Sequence, residues 1–118
     1  MKLEILQVTD CPNVAVLEQR LRDALTDAGA EIEIEHRVID DAAEAATAGM
    51  TGSPTLLVDG RDPFAVPGQP PSVSCRLYRR EDGGLDGAPT ITALCAALGM
   101  TPASGSAGLR RGAGRGAR

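Results

Sequence analysis

Apolar and polar positions along this chain follow two periods, one near two residues and one near four. "KLEILQV" (2–8) is apolar and β-branched enough for a strand. From residue 12 to 28 the period lengthens, and Leu17, Leu21, Leu25 and Ala28 form an apolar stripe at helical spacing. Glu18 and Arg22 sit one turn apart on the other side, in the favourable order for an ion pair. Pro12 suits the first helical position, where a missing N–H costs nothing, and Gly29 suits the C-terminal cap. In "EIEIEHRVI" (31–39) the period returns to two. Glu31, Glu33 and Glu35 face one way and Ile32 and Ile34 the other, which predicts a strand with one wet side at a sheet edge.

Further along, Asp41 followed by Glu44 is a capping-box-like start for a short helix that Gly49 stops. A third strand is expected at about 55–59. Residues 60–73 hold four prolines and read as a long loop, a class more often functional than not. "SCRLYRR" (74–80) predicts a fourth strand, "EDGGLDGAP" a turn, and 90–99 a closing helix on Ile91, Leu94, Cys95 and Leu98. The order β-α-β-α-β-β-α predicts an α/β domain with a mixed four-stranded sheet and helices packed on it. Its first two strands would be parallel, joined by a right-handed crossover, and 55–59 and 74–79 would form an antiparallel hairpin.

Length and charge bound the organisation. The 118 residues suggest one domain, placed at 1–102, large enough for its own core. The net charge is -4, but residues 103–118 carry four arginines and no acid, which leaves -8 on residues 1–102. An acidic body argues against a nucleic-acid partner. The tail is nearly all Gly, Ala, Ser and Arg and cannot bury enough apolar surface to fold alone. It reads as a disordered, solvated end, with contact to an anionic partner as the alternative. The N-terminus lacks the apolar run of a signal peptide, and no stretch approaches a membrane span, so the expected setting is the cytoplasm, with no membrane partner. Three separated cysteines and a single histidine make neither a disulfide scaffold nor a zinc cluster, and no metal or cofactor is implied.

The chemistry centres on "DCPN" (10–13), where a strand gives way to a helix. A sulfur at a helix N-terminus meets unpaired N–H groups and the positive end of the helix dipole; both favour the nucleophilic thiolate, while the Asp10 carboxylate opposes it. The alternative for Cys11 is a buried, inert cysteine. Position 14, where a redox pair would carry its second thiol, holds Val14. Cys95 lies on the apolar stripe of the last helix and reads as structural. His36, on the apolar side of its strand, reads as a hydrogen-bonded structural histidine. Arg76, Arg79 and Arg80 read as a solvated face or as holders of an anionic thiol cofactor. "DGGLDG" reads as a turn, and Asp62-Pro63-Phe64 as the anchor of the long loop with Phe64 buried.

The element order, "DCPN" and "GSPT" (52–55) together resemble the thioredoxin-like superfamily over residues 2–99. The resemblance implies a thioredoxin fold, a cis bond before Pro54, and a substrate-docking role for Pro12, Ser53, Pro54 and Thr55 facing Cys11. Its C-x-x-C pattern is broken at Val14, and no aromatic residue flanks Cys11. Thiol-disulfide exchange through Cys11 alone is then expected, with a low-molecular-weight thiol or a partner-protein disulfide as the other reactant. "DCPN", "GSPTLLVDGRDPF" and "SCRLY" in this order are also similar to short bacterial thioredoxin-like proteins, some labelled alkylmercury lyase. That chemistry needs two thiolates on one mercury and an acid, roles that would fall to Cys11, Cys75 and Asp10. A regular 55–59/74–79 hairpin would put Cys75 at the far end from Pro54, on the order of 15 Å from Cys11. A non-enzymatic interaction module with a vestigial site is the remaining expectation.

Overall fold

A computed structural model describes residues 1–26 and 32–99. The expectations for Ala28, Gly29, Glu31 and the 103–118 tail lie outside the described residues. The chain is mixed α/β. Strand β1 (Leu3–Gln7) leads into helix α1 (Asn13–Ala24), then strand β2 (Ile34–Val38) and helix α2 (Ala42–Ala48). Strands β3 (Thr51–Ser53) and β4 (Thr55–Val58) follow in close succession. After a long loop come β5 (Ser72–Cys75), β6 (Tyr78–Arg79), β7 (Leu85–Asp86) and helix α3 (Ile91–Leu98).

The main sheet has the order β2-β1-β4. β1 and β2 run parallel, with Leu3 opposite Ile34 and Gln7 opposite Val38, as a crossover through α1 requires. β4 runs antiparallel to β1, with Leu3 opposite Val58 and Leu6 opposite Thr55. Alternation along β1 sends side chains to both faces, and both faces are covered. On one face Leu3 and Ile5 pack with Val14, Leu17, Leu21 and Ala24 of α1, Leu56 of β4, and Leu94 and Cys95 of α3. On the other, Leu6 packs with Ile39, Ala45, Met50 and Leu57. The helical stripe on α1 therefore includes Val14 and Ala24 as well as Leu17 and Leu21, while Leu25 is half-buried. On α3, Leu94 and Cys95 are buried but Ile91 stays exposed.

Local capping follows the sequence. The Asp41 carboxylate accepts from the Glu44 amide at 2.8 Å, and the Glu44 carboxylate accepts from the Asp40 amide at 2.9 Å. Gly49 ends α2 in the left-handed conformation that a side chain disfavours. Thr90 caps α3 by accepting from the Ala93 amide at 3.1 Å.

The second half departs from the four-stranded sheet that the sequence predicts. The main sheet has three strands, and two small two-stranded ribbons stand beside it. The expected 55–59/74–79 hairpin does not form. β5 pairs in parallel with β3, placing Cys75 opposite Ser53, and β6 pairs with β7. The expected strand at 74–80 is broken at Arg76 and Leu77. The reason is Arg76, which is 4% exposed and not part of a solvated face. Its guanidinium donates to the Asp62 carboxylate at 2.7 Å, to the Phe64 carbonyl at 2.7 Å and to the Thr55 hydroxyl at 3.2 Å. It also lies over the Tyr78 ring, 4.6 Å from the centroid. Phe64 meets Tyr78 edge to face and is half-buried. Asp62 thus anchors the long loop, and the chain bends at Arg76 to reach it.

Truncating one member of a buried ion pair leaves the other charge uncompensated. Arg76→Ala is expected to lower the unfolding free energy by about 3–5 kcal/mol. Asp41→Ala, which removes one exposed cap, is expected to cost only about 1 kcal/mol. Urea denaturation of the two variants checks the contrast.

Candidate functional site

Cys11 sits where β1 turns into α1. The Val8 amide donates to the Ser53 hydroxyl at 3.1 Å, which ties the end of β1 to the β3–β4 junction. Asp10 then takes a left-handed φ of 63°, a region aspartate tolerates better than most residues. Pro12 has helical dihedrals and immediately precedes α1, which begins at Asn13, one residue later than the sequence suggests. The Cys11 carbonyl accepts from the Val14 amide at 3.3 Å. Val14 is turned into the core, so the position three residues after Cys11 carries packing instead of a second thiol.

The Cys11 side chain is half-buried and packs against that same core. It also lines an open groove of about 570 Å³ that it shares with Gln7, Asp10, Glu18, Arg22 and His36. The far wall is a polar network. His36 Nδ1 meets Gln7 Oε1 at 2.7 Å, and its Nε2 meets Glu18 Oε1 at 2.5 Å. Glu18 also accepts from Arg22 at 3.1 Å, the pair one helical turn apart. Burial raises the Glu18 pKa, but the hydrogen bonds from His36 and Arg22 outweigh it and hold the carboxyl below its usual range.

Ser53, Pro54 and Thr55 are all buried, and their polar atoms are engaged inside the fold. The Ser53–Pro54 bond is cis. The Pro54 carbonyl accepts from the Tyr78 hydroxyl, the Thr55 hydroxyl donates to the Gly52 carbonyl at 2.6 Å, and the Ser53 carbonyl accepts from the Arg76 amide at 3.1 Å. Burial pushes the Tyr78 phenol pKa up, so it stays a neutral donor. Gly52, at φ 142°, leaves no room for a side chain: a Cβ there would lie 2.6 Å from Arg76 Cβ.

The β3–β5 pairing corrects the expected position of Cys75. The residue is exposed and lies opposite Ser53, one strand spacing of about 4.8 Å away. It is therefore at the end of the fold where β1 delivers Cys11, and not at the end marked by Asp59. Pro12 and Asp10 are exposed at that end as well. Among the described residues no group of three or more His, Cys, Asp or Glu side chains converges to hold a metal ion. Cys95 is 1% exposed, and burial pushes its thiol pKa up, as a core cysteine requires.

"DGGLDG" (82–87) supplies both the β6–β7 turn, closed by Arg80 and Asp82, and strand β7 itself. Its second half also holds α1 in place. Asn13 lies so close to Gly87 that a Cβ there would come within 2.3 Å of its amide nitrogen. Arg20 of α1 donates to the Ala88 and Pro89 carbonyls and pairs with Asp86 at 3.1 Å. The Gly87 amide and Arg20 keep the Asp86 carboxyl below its usual range against a smaller effect of burial. Arg20 carries no local signal in the sequence, because its partners lie more than sixty residues away. Strand parity put His36 on the apolar side of β2, but nothing local brought Glu18, on the polar side of α1, to meet it.

Comparison with family models, curated proteins and solved structures finds no match for this chain. Among the described residues no helix is long and apolar enough to cross a membrane.

The Glu18 network has a pH signature. A carboxyl whose folded pKa lies below its unfolded value adds stability that is complete above the ordinary 4.5. That stability is lost as pH falls through the folded value. Glu18→Gln is therefore expected to be less stable than wild type at pH 7, with the gap narrowing as pH drops below about 4. Thermal unfolding of both proteins across this range measures it.

Proposed function

We propose that this protein is a thioredoxin-like thiol protein that performs thiol-disulfide exchange through Cys11. The observation that carries the reading is the position of Cys11: a half-buried thiol at a strand-to-helix junction, opening on a groove. The cis Ser53–Pro54 bond, tied to the end of β1 through Val8, supports the same reading. So does the parallel β1-α1-β2 unit.

In this mechanism the Cys11 thiolate attacks one sulfur of a substrate disulfide. The S–S bond breaks, Cys11 forms a mixed disulfide, and the other half leaves as a thiolate that takes up a proton. A low-molecular-weight thiol then attacks the substrate sulfur of the mixed disulfide and releases Cys11 as thiolate. The electrons come from that second thiol, so no local partner at position 14 is needed. The buried Ser53-Pro54-Thr55 segment serves as a rigid backing, and the exposed Pro12 and Asp10 are the groups that meet the substrate.

A second reading is favoured by one observation, the Ser53–Cys75 register. With Cys75 at the Cys11 end of the fold, the two thiols would bind the mercury of an alkylmercury cation; the C–Hg bond would break, one of the released thiol protons would pass through Asp10 to the departing carbon and the other to water, and Hg(II) would remain on the two thiolates.

Alkylation separates these from accessibility alone, because Cys75 is the more exposed thiol. Iodoacetamide at neutral pH, read by peptide mass spectrometry, is expected to label Cys11 before Cys75 and to leave Cys95 unmodified in the folded protein. Cys11→Ser should abolish turnover of a small mixed disulfide, whereas Cys75→Ser should retain it. Labelling of Cys75 ahead of Cys11, with activity surviving Cys11→Ser, rules the proposal out. A mercury stoichiometry that drops in both Cys11→Ser and Cys75→Ser would instead support the second reading.

A further inference from the structure

We propose that β2 is a self-pairing edge, and that two copies of this chain join there antiparallel about a two-fold axis through His36. Among the described residues β2 pairs only with β1, so its other edge offers free N–H and C=O groups. Four of its five residues are exposed. It carries no proline, and its pairing with β1 runs unbroken from Leu3–Ile34 to Gln7–Val38, without a bulge to blunt it.

The direction of the backbone groups fixes which residues can pair. The Ile39 amide donates to the Gln7 carbonyl at 2.7 Å, so the odd-numbered residues of this strand turn their peptide groups toward β1. Successive residues alternate, so Ile34, His36 and Val38 present theirs to the free edge. An antiparallel partner must therefore match even residues with even residues.

Side-chain chemistry then selects among the allowed registers. Centred on His36, the sequence Ile34-Glu35-His36-Arg37-Val38 is self-complementary. Ile34 meets Val38 of the second copy, an apolar pair, and Val38 is 46% exposed in the single chain. Glu35 meets Arg37 of the second copy, and symmetry repeats the pair, giving two ion pairs at the closely spaced, non-hydrogen-bonded positions. Moving the axis by one residue to Glu35 puts two carboxylates face to face. Moving it to Arg37 puts two guanidiniums face to face. Both are unfavourable.

The charges are also unpaired in the single chain. Neither the Glu35 nor the Arg37 side chain has a hydrogen-bond or ion-pair partner among the described residues. Glu35 lies directly across from Glu4 of β1, a like-charged neighbour that a second copy's Arg37 would offset. An isologous contact of this kind closes on itself and does not propagate into a fibre. It would convert two three-stranded sheets into one of six strands. Because His36 also lines the Cys11 groove, the grooves of the two copies would sit side by side across the axis.

The test is sedimentation equilibrium on the full chain with Glu35→Arg, Arg37→Glu and the double exchange, with circular dichroism confirming the fold. A strand-edge contact is small, so the wild type is expected to dimerise in a concentration range of about 10–500 μM. Each single exchange places like charges opposite one another twice and should weaken the dimer by roughly tenfold or more. The double exchange restores opposite charges and should recover it. A wild type that remains monomeric throughout that range overturns the proposal. So does a dimer that either folded single exchange leaves unchanged, or that the double exchange fails to restore.

Discussion

Burying the Arg76 guanidinium beside the Asp62 carboxylate constrains the whole second half of the molecule. A charge taken out of water costs several kcal/mol unless its donors are matched. Here they are matched by a carboxylate, a hydroxyl, a carbonyl and the face of an aromatic ring, contributed by Asp62, Thr55, Phe64 and Tyr78. These four come from the long loop, β4 and β6. Satisfying one guanidinium therefore fixes the path of the loop, the position of the β3–β4 junction and the break between β5 and β6. Gly52 belongs to the same arrangement, since only a residue without a side chain lets the β3 backbone approach Arg76 so closely.

The site inherits its shape from that constraint. With Arg76 drawn inward, its amide bonds to the Ser53 carbonyl and β5 falls in parallel beside β3. Cys75, one residue earlier, then points outward beside Ser53. The end of β1 reaches the same junction through Val8 and Ser53. Two thiols thus share one end of the fold through backbone pairing, while the third, Cys95, is kept in the core. The groove beside Cys11 is closed on its far side by a separate network, in which α1 and β2 are joined through Glu18 and His36.

Both faces of the sheet are covered, but its β2 edge is not. β1 is paired on both edges and packed on both faces, and β4, the other edge strand, is bridged at Val58 by Arg61 of the loop that follows it. Among the described residues β2 pairs only with β1, and its charges alternate in a pattern that fits a copy of itself. His36 belongs to both features, lining the groove on one side and centring the edge on the other.

Much of the first half is written in the residues nearest in sequence. The apolar stripe of α1, the Asp41–Glu44 cap, the Gly49 stop and the period-two pattern of β2 depend on neighbours within one or two turns, so periodicity exposes them. The junction at Asp10-Cys11-Pro12 is legible for the same reason, because strand end and helix start adjoin it. The second half is not legible in this way. "SCRLYRR" has the composition of a strand, and nothing local says that its first arginine will be buried against an aspartate fourteen residues earlier. Nor does anything local say that Arg20 will meet Asp86, or that Cys75 will lie beside Ser53. Those outcomes depend on which distant groups can satisfy a buried charge at once. By itself the sequence determined the elements of the first half, the Asp41 cap of α2 and a thiol at a strand-to-helix junction. Only the tertiary structure, by requiring full partnership for one buried guanidinium, decided how the later strands pair and therefore that Cys75 lies beside Ser53.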